Sequence, residues 1–293
     1  MTHHVGVVGV GNVGGRLVRQ LLSCELVATI SVTDSRLGRA DEVVDIVSED
    51  KVRSHASPWV DATVTVLAGA AGSHCELASK ALAAGSNVVS VSDSIEDVRG
   101  LLALDKQANA AGLSVIVGAA MAPGLSDLLA GLAAKRFDSV EEVHIAKAGT
   151  GGPACARQHH RALGGDAVDW RDGGFIDRRG RSGRELVFFP DPIGGRDCYR
   201  AALPDALLLA PEFEAVERVT ARLSATRRDR LTALLPMMRR PHADGGPGAV
   251  RVEVRGVIGS SRETVVLSAV DHPSAAAAVV GAVATESVLD GGG

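Results

Sequence analysis

Gly9-Val10-Gly11-Asn12-Val13-Gly14 decides the reading of this chain. The stretch has the spacing GxGxxG, follows the Val-rich run His4–Gly9 and opens the helical pattern Val13–Ser23. Each glycine has a mechanical reason to be there. Gly9 permits a tight strand-to-helix turn, Gly11 lets the backbone approach a pyrophosphate, and Gly14 lets the helix pack close to the strand. The helix N-terminus then presents free N–H groups and the positive end of its dipole to the phosphates. Such a hexapeptide is weak evidence by itself in a chain with 34 glycines. Its context strengthens it: Asp34 follows Gly14 by twenty residues, at the end of a second β-rich run, Leu26–Thr33. That is the spacing of an acid that accepts hydrogen bonds from the adenosine ribose of a dinucleotide.

Outward from this point the first 120 residues alternate between short apolar runs and helical patterns. Predicted helices over Leu37–Val47, His74–Ala84 and Ile95–Ala111 separate predicted strands over Thr63–Leu67, Asn87–Val91 and Leu113–Val117. Strands of this length between helices indicate parallel βαβ units, and near-continuous Val/Ile content fits strands buried on both faces. Ligands of such sheets bind outside the carboxyl ends of the strands. The predicted cofactor contacts are therefore Gly9, Gly11, Asn12, Val13 and Gly14, then Asp34, Ser35 and Arg36, then Ala68, Gly69 and Ala70, and finally Asp93. Asp34 favours NAD. Arg36 and Arg39 are placed to hold a 2′-phosphate, so NADP stays open.

After Gly118 the rhythm breaks. Ala122-Pro123-Gly124 is a turn signal, Leu125–Phe137 has helical spacing, and Val140–Ala148 reads as a strand. A Gly-rich stretch, Gly149–Pro153, leads into a polar, Arg-rich region reaching about Gly183. Glu185–Phe189, Val250–Ile258 and Thr264–Val270 read as strands of a mixed or antiparallel sheet, and Pro273–Leu289 as an apolar helix. The fold class expected is α/β: a doubly wound Rossmann sheet over residues 1–123, an α+β substrate and dimerisation domain over 124–271, and a helix over 272–293 that packs back on the first domain.

Composition bounds the rest. Of 293 residues, 46% are hydrophobic and 3% aromatic, so two cores of Val, Leu, Ile and Ala are expected. A net charge of −4 gives no pull toward nucleic acid or anionic membrane. Beyond Lys147 every basic residue is an arginine, from Arg157 to Arg262. High-GC codon usage explains that bias, and so do carboxylate or phosphate clamps built on the guanidinium fork. Cys24, Cys75, Cys155 and Cys198 form no CxxC pair, so neither a metal site nor a disulfide framework is expected. Neither an export signal nor a membrane span is read, and a cytoplasmic protein is expected.

Hydride transfer needs a proton partner beside the nicotinamide. His159 and His160, in the polar stretch Arg157–Arg161 read as a loop, are the candidates, with Asp127 after the Pro123-Gly124 turn, where helix capping is the competing role. His144 on its strand reads as structural, and His74 as a capping or surface residue. Tyr-x-x-x-Lys chemistry is excluded, because Tyr199 is the one tyrosine and Leu203 stands four residues later. Covalent catalysis by Cys75 is disfavoured, because adjacent His74 does not face it on a helix.

Several of these stretches resemble the saccharopine dehydrogenase-like family, and most closely its shorter members similar to lysine 6-dehydrogenase. They are the early glycine fingerprint, Ser73–Ala78 with Ala84–Val89, Gly118–Asp127 with its Pro-Gly-Leu-Ser-Asp element, Trp170 with Gly173-Gly174, and Phe189–Gly194. The resemblance implies NAD(P)-dependent hydride transfer at a C–N bond of an amino acid or imine, a carboxylate-bearing small-molecule substrate, and a homodimer. Ala122 stands where saccharopine-type members typically carry Asp, which leaves the substrate open. Two alternatives remain: a homoserine or aspartate dehydrogenase-like enzyme, and a non-catalytic dinucleotide-binding redox sensor.

Overall fold

The computed structural model describes residues 2–238 and 240–291. The chain divides into two compact units, Met1–Ala120 with Ser274–Gly293, and Met121–Pro273.

The first unit runs, up to Ala120, through β1 His3–Val8, α1 Asn12–Leu22, β2 Val27–Thr33, α2 Arg39–Val47, β3 Val52–Ser54, β4 Val64–Leu67, α3 His74–Ala83, β5 Asn87–Ser90, α4 Ile95–Leu102, α5 Asp105–Ala111 and β6 Val115–Val117. Among the described residues the strands form one parallel sheet in the order β3-β2-β1-β4-β5-β6. The order reverses between β1 and β4, which is the doubly wound arrangement with its switch point at the end of β1. Val5, Val7, Ile30, Val32, Val64 and Val66 are fully shielded from solvent, as strands covered on both faces require.

Two features of this unit depart from the sequence reading. β3 was not foreseen: it is a three-residue edge strand in which only Val52 is buried, too short to show a period. The helix expected over Ile95–Ala111 is two helices, α4 and α5, broken at Ala103-Leu104.

The second unit begins with α6 Leu125–Ala134, β7 Ser139–Ala148, α7 Pro153–Gly164, β8 Ala167–Arg171 and β9 Gly174–Arg178. It continues with β10 Glu185–Phe188, β11 Gly195–Arg200, α8 Asp205–Leu209, β12 Arg218–Ser224, α9 Arg227–Thr232, β13 Gly248–Ile258 and β14 Ser261–Asp271. Among the described residues, a mixed eight-stranded sheet runs β10-β11-β12-β7-β13-β14, with β8 joined to β12 and β9 to β8. β12 and β7 are parallel, whereas β13 is antiparallel to both β7 and β14.

Alternation along β7 splits its side chains between the two faces. Val143, Ile145 and Lys147 are buried on one face, and Glu142 and His144 lie on the other. The last helix, α10 Pro273–Leu289, places Ala278 and Leu289 in one apolar cluster with Val5, Leu17 and Ile30 of the first unit.

Candidate functional site

The turn after β1 is built as a cradle. Gly9 sits at φ +91°, where a side chain is strained, and a Cβ there would strike the backbone of Ala68 and Gly69. A Cβ on Gly14 would strike the Gly9 carbonyl oxygen. By contrast, a Cβ on Gly11 would meet nothing within 4 Å. The tight positions are thus where backbone meets backbone, and open space lies beside Gly11.

The residue before α1 is Gly11, and no side-chain hydrogen bond caps the helix. No acidic residue lies in its first turn, which holds Asn12 and Val13.

Asp34, at the carboxyl end of β2, is turned toward this cradle. Its Oδ2 accepts from the Val10 amide at 2.9 Å, and its Oδ1 accepts from the Arg36 amide at 2.9 Å and from Arg36 Nε at 3.3 Å. The Asp34 side chain is 8% exposed and that of Arg36 64%. Arg39 is committed elsewhere, to the Val10 carbonyl and to Glu42. Ser35 is exposed beside Asp34.

The loops after β4 and β5 complete this edge. Ala68 is buried and donates its amide to the Val8 carbonyl, Gly69 is half-buried and Ala70 exposed. Asp93 lies half-buried after β5. Buried Asp97, a residue the sequence reading missed, ties the two loops together. It accepts from the Gly72 amide at 2.9 Å, the His74 amide at 3.3 Å and Ser92 Oγ at 2.7 Å.

His74 is a correction. It is not a surface residue but is fully buried at the start of α3, with Nδ1 2.8 Å from Ser90 Oγ and Nε2 3.3 Å from the Gly69 carbonyl. Burial pushes its pKa down, so the neutral ring is the favoured form.

The second unit carries a separate cluster of acids. Asp127, in the first turn of α6, accepts from the Gly124 amide at 3.1 Å, so the capping role is real. Ser126 Oγ lies 3.4 Å from Asp127 Oδ1 and 3.3 Å from Asp205 Oδ1, and Asp205 is fully buried on α8. Burial first, and the neighbouring Asp205 second, push the Asp127 carboxyl well above its ordinary range. Lys147, buried on β7, donates to the Ala122 carbonyl at 2.9 Å and partly offsets that rise.

Arg157–Arg161 is also corrected: it lies on α7, not in a loop. Pro153 starts this helix, and Gln158, Ala162 and Leu163 are buried along it. His159 Nε2 is 3.6 Å from Cys155 Sγ one turn earlier. His160 Nε2 is 2.8 Å from the Leu235 carbonyl, to which it donates. His144, read as structural, is held between Thr220 Oγ1 at 2.8 Å and Glu142 at 2.9 Å.

This is a Rossmann fold with a second, mixed-sheet unit. Among solved structures it is similar to apo saccharopine dehydrogenase (L-Glu forming) from Saccharomyces cerevisiae, with a TM-score of 0.70 at 15% identity over 99% of this chain and 92% of that one. C. glutamicum DAP dehydrogenase in complex with DAP matches at a TM-score of 0.54 and 17% identity, over 99% and 89% of the two chains. GenD2 from gentamicin A biosynthesis, solved in complex with NAD, matches at 0.55 and 16%, over 99% and 87%. The chain therefore has a saccharopine dehydrogenase-like fold. No family model matches it, and no curated protein matches it by sequence. No helix among the described residues is long and apolar enough to cross a membrane.

Proposed function

We propose that this protein is an NAD(P)-dependent oxidoreductase acting on the C–N bond of an amino acid or imine. The observation that carries the reading is the cradle at the end of β1: open space at Gly11, the start of α1, and Asp34 fixed beside it by the Val10 amide. A bound nicotinamide supplies the hydride acceptor or donor.

The residues of this chain do the remainder. The N-terminal amides of α1 hold the pyrophosphate, and Asp34 accepts the ribose hydroxyls. Ala68, Gly69 and Ala70 border the ribose nearer the nicotinamide, and Asp97 keeps that loop and the Asp93 loop in register. NAD is the better fit, because the Asp34 carboxylate repels a 2′-phosphate and Arg36 is already engaged with it.

For the proton we favour His159, whose Nε2 lies by the Cys155 thiol, over His160, whose Nε2 donates to the Leu235 backbone carbonyl. Asp127 is a second candidate donor, because burial and the neighbouring Asp205 raise its pKa and favour the protonated carboxyl. The C–N specificity rests on the likeness to saccharopine and DAP dehydrogenases. A carboxylate-bearing substrate and a homodimer are part of the same reading.

The test is turnover. Purified protein is given NAD or NADP with single amino acids, and NADH or NADPH with 2-oxo acids plus ammonia or a primary amine, while reduced nicotinamide absorbance is followed. Amine-dependent turnover supports the proposal. Cofactor binding with turnover confined to alcohols such as homoserine would reject the C–N assignment while leaving the oxidoreductase.

A further inference from the structure

The polar face of the second unit's sheet holds a cavity of about 360 Å³ that the proposed chemistry does not use. It lies over Thr220 and His144, on the face of β7 opposite Lys147 and the Asp127–Asp205 cluster. Six guanidinium groups line it: Arg171, Arg178, Arg200, Arg218, Arg222 and Arg255. Its lining carboxylates are Asp169 and Glu185, with Glu142 adjoining through His144, Arg218 and Arg255.

These acids account for only part of the charge. Arg200 Nε binds Asp169 at 2.9 Å and Arg222 Nε binds Glu185 at 3.0 Å. Arg218 and Arg255 share Glu142, at 3.6 and 3.1 Å, Arg255 also binds Glu253 at 2.6 Å, and Arg171 meets exposed Asp172 at 3.3 Å. Arg178 has no ion partner among the described residues. Asp169 is 4% exposed and leaves Oδ1 without a hydrogen bond.

The pattern is a pocket lined by guanidiniums, five of them braced by internal ion pairs, with Arg178 left over among the described residues. Guanidinium forks match the paired oxygens of carboxylates and phosphates, and bracing reduces the entropy lost on binding them. The volume falls within the usual range for small-ligand pockets, roughly 300–1,000 Å³. Trp170 and Ile176 add an apolar wall.

We infer that this cavity binds a small multivalent oxyanion, carrying two or more carboxylate or phosphate groups, at a site separate from the dinucleotide cradle.

The experiment is thermal unfolding at constant ionic strength, titrating pyrophosphate in one arm and citrate in the other against matched chloride. Constant ionic strength removes general screening. Wild type should gain about 3 °C or more in Tm once the anion exceeds its Kd tenfold. Arg171→Gln/Arg178→Gln, altered only at exposed rim positions, should bind at least tenfold more weakly. Gly11→Trp, in which the α1 cradle is blocked, should keep the wild-type citrate shift and retain a pyrophosphate shift from the cavity alone. The stronger arm tells carboxylate from phosphate preference.

No shift in either arm, an unchanged shift in the double variant, or loss of the shift in Gly11→Trp overturns the inference. Sedimentation of the same samples tests a second copy of the chain as occupant. Dimers that fall apart in the double variant, with no anion response in wild type, would also overturn it.

Discussion

Replacing Asp34 by alanine should separate the cradle's structural and ligand-binding roles. In the free protein the substitution removes the acceptor of the Val10 amide at 2.9 Å and of the Arg36 amide at 2.9 Å. Val10 is fully buried, and leaving a buried donor unmet costs about 1–3 kcal/mol, whereas the exposed Arg36 amide turns to water. At roughly 2–4 °C per kcal/mol for a domain of this size, Tm should fall by about 2–10 °C. With cofactor, the loss of charge-assisted bonds to the ribose should weaken NADH by about 1.5–3 kcal/mol, or on the order of ten- to a hundredfold. NADPH should move the other way, since the repelling carboxylate is gone and Arg36 is released to meet the 2′-phosphate. The assay is nicotinamide fluorescence titration of both cofactors on both proteins, with Tm measured beside it. If the variant keeps the wild-type ratio of NADH to NADPH affinity, Asp34 does not read the ribose and the assignment of the cradle fails.

Three further outcomes are expected. Asp97→Ala should cost about 2–4 kcal/mol in urea unfolding, because it strips acceptors from the Gly72 and His74 amides and from Ser92; a loss below about 0.5 kcal/mol would show the loops hold themselves. The folded-state pKa of Asp127 lies above its ordinary 3.8, so the folded protein binds that proton more tightly, and the stability this gives is lost as pH rises from the unfolded value through the folded one. Asp127→Asn keeps the acceptor for the Gly124 amide and should therefore gain Tm relative to wild type as pH is raised from about 4 to 8; parallel Tm curves would contradict the raised pKa. His159→Gln should lower kcat by about 10²-fold or more with little change in cofactor Kd, whereas His160→Gln should mainly lower Tm; the reverse pattern would exchange their roles.

Much of the first unit was legible because its chemistry is local. The turn Gly9–Gly14, the spacing to Asp34 and the buried Val runs each encode one strand, turn or helix by short-range rules, and they carry the βαβ order with them. β3 escaped because three residues at a sheet edge bury one side chain. Asp97 escaped because its role lies in bonds to loops more than twenty residues away, which no local pattern reveals.

The second unit was harder. β8 and β9 fall in a stretch read only as polar and Arg-rich, and several of their side chains, Asp169, Arg171 and Arg178 among them, line a polar cavity. Strand β12 did carry a readable alternation, with Val219, Ala221 and Leu223 buried between Arg218, Thr220 and Arg222. For α7, the Gly152-Pro153 start signal was present and was outweighed by the polarity of Arg157–Arg161. The pairing of Asp127 with buried Asp205 could not be read, because the two are brought together only by the packing of α6 and α8.

The most direct test of the central claim is a fluorescence titration of wild type and Gly11→Trp with NADH and NADPH. Position 11 has φ −74° and open space around it, so the tryptophan should leave the fold intact while filling the pyrophosphate path. The account predicts submillimolar binding of NADH, more tightly than NADPH, with both lost in a variant whose Tm is unchanged. Failure of wild type to bind either cofactor, or equal binding by the variant, would contradict it.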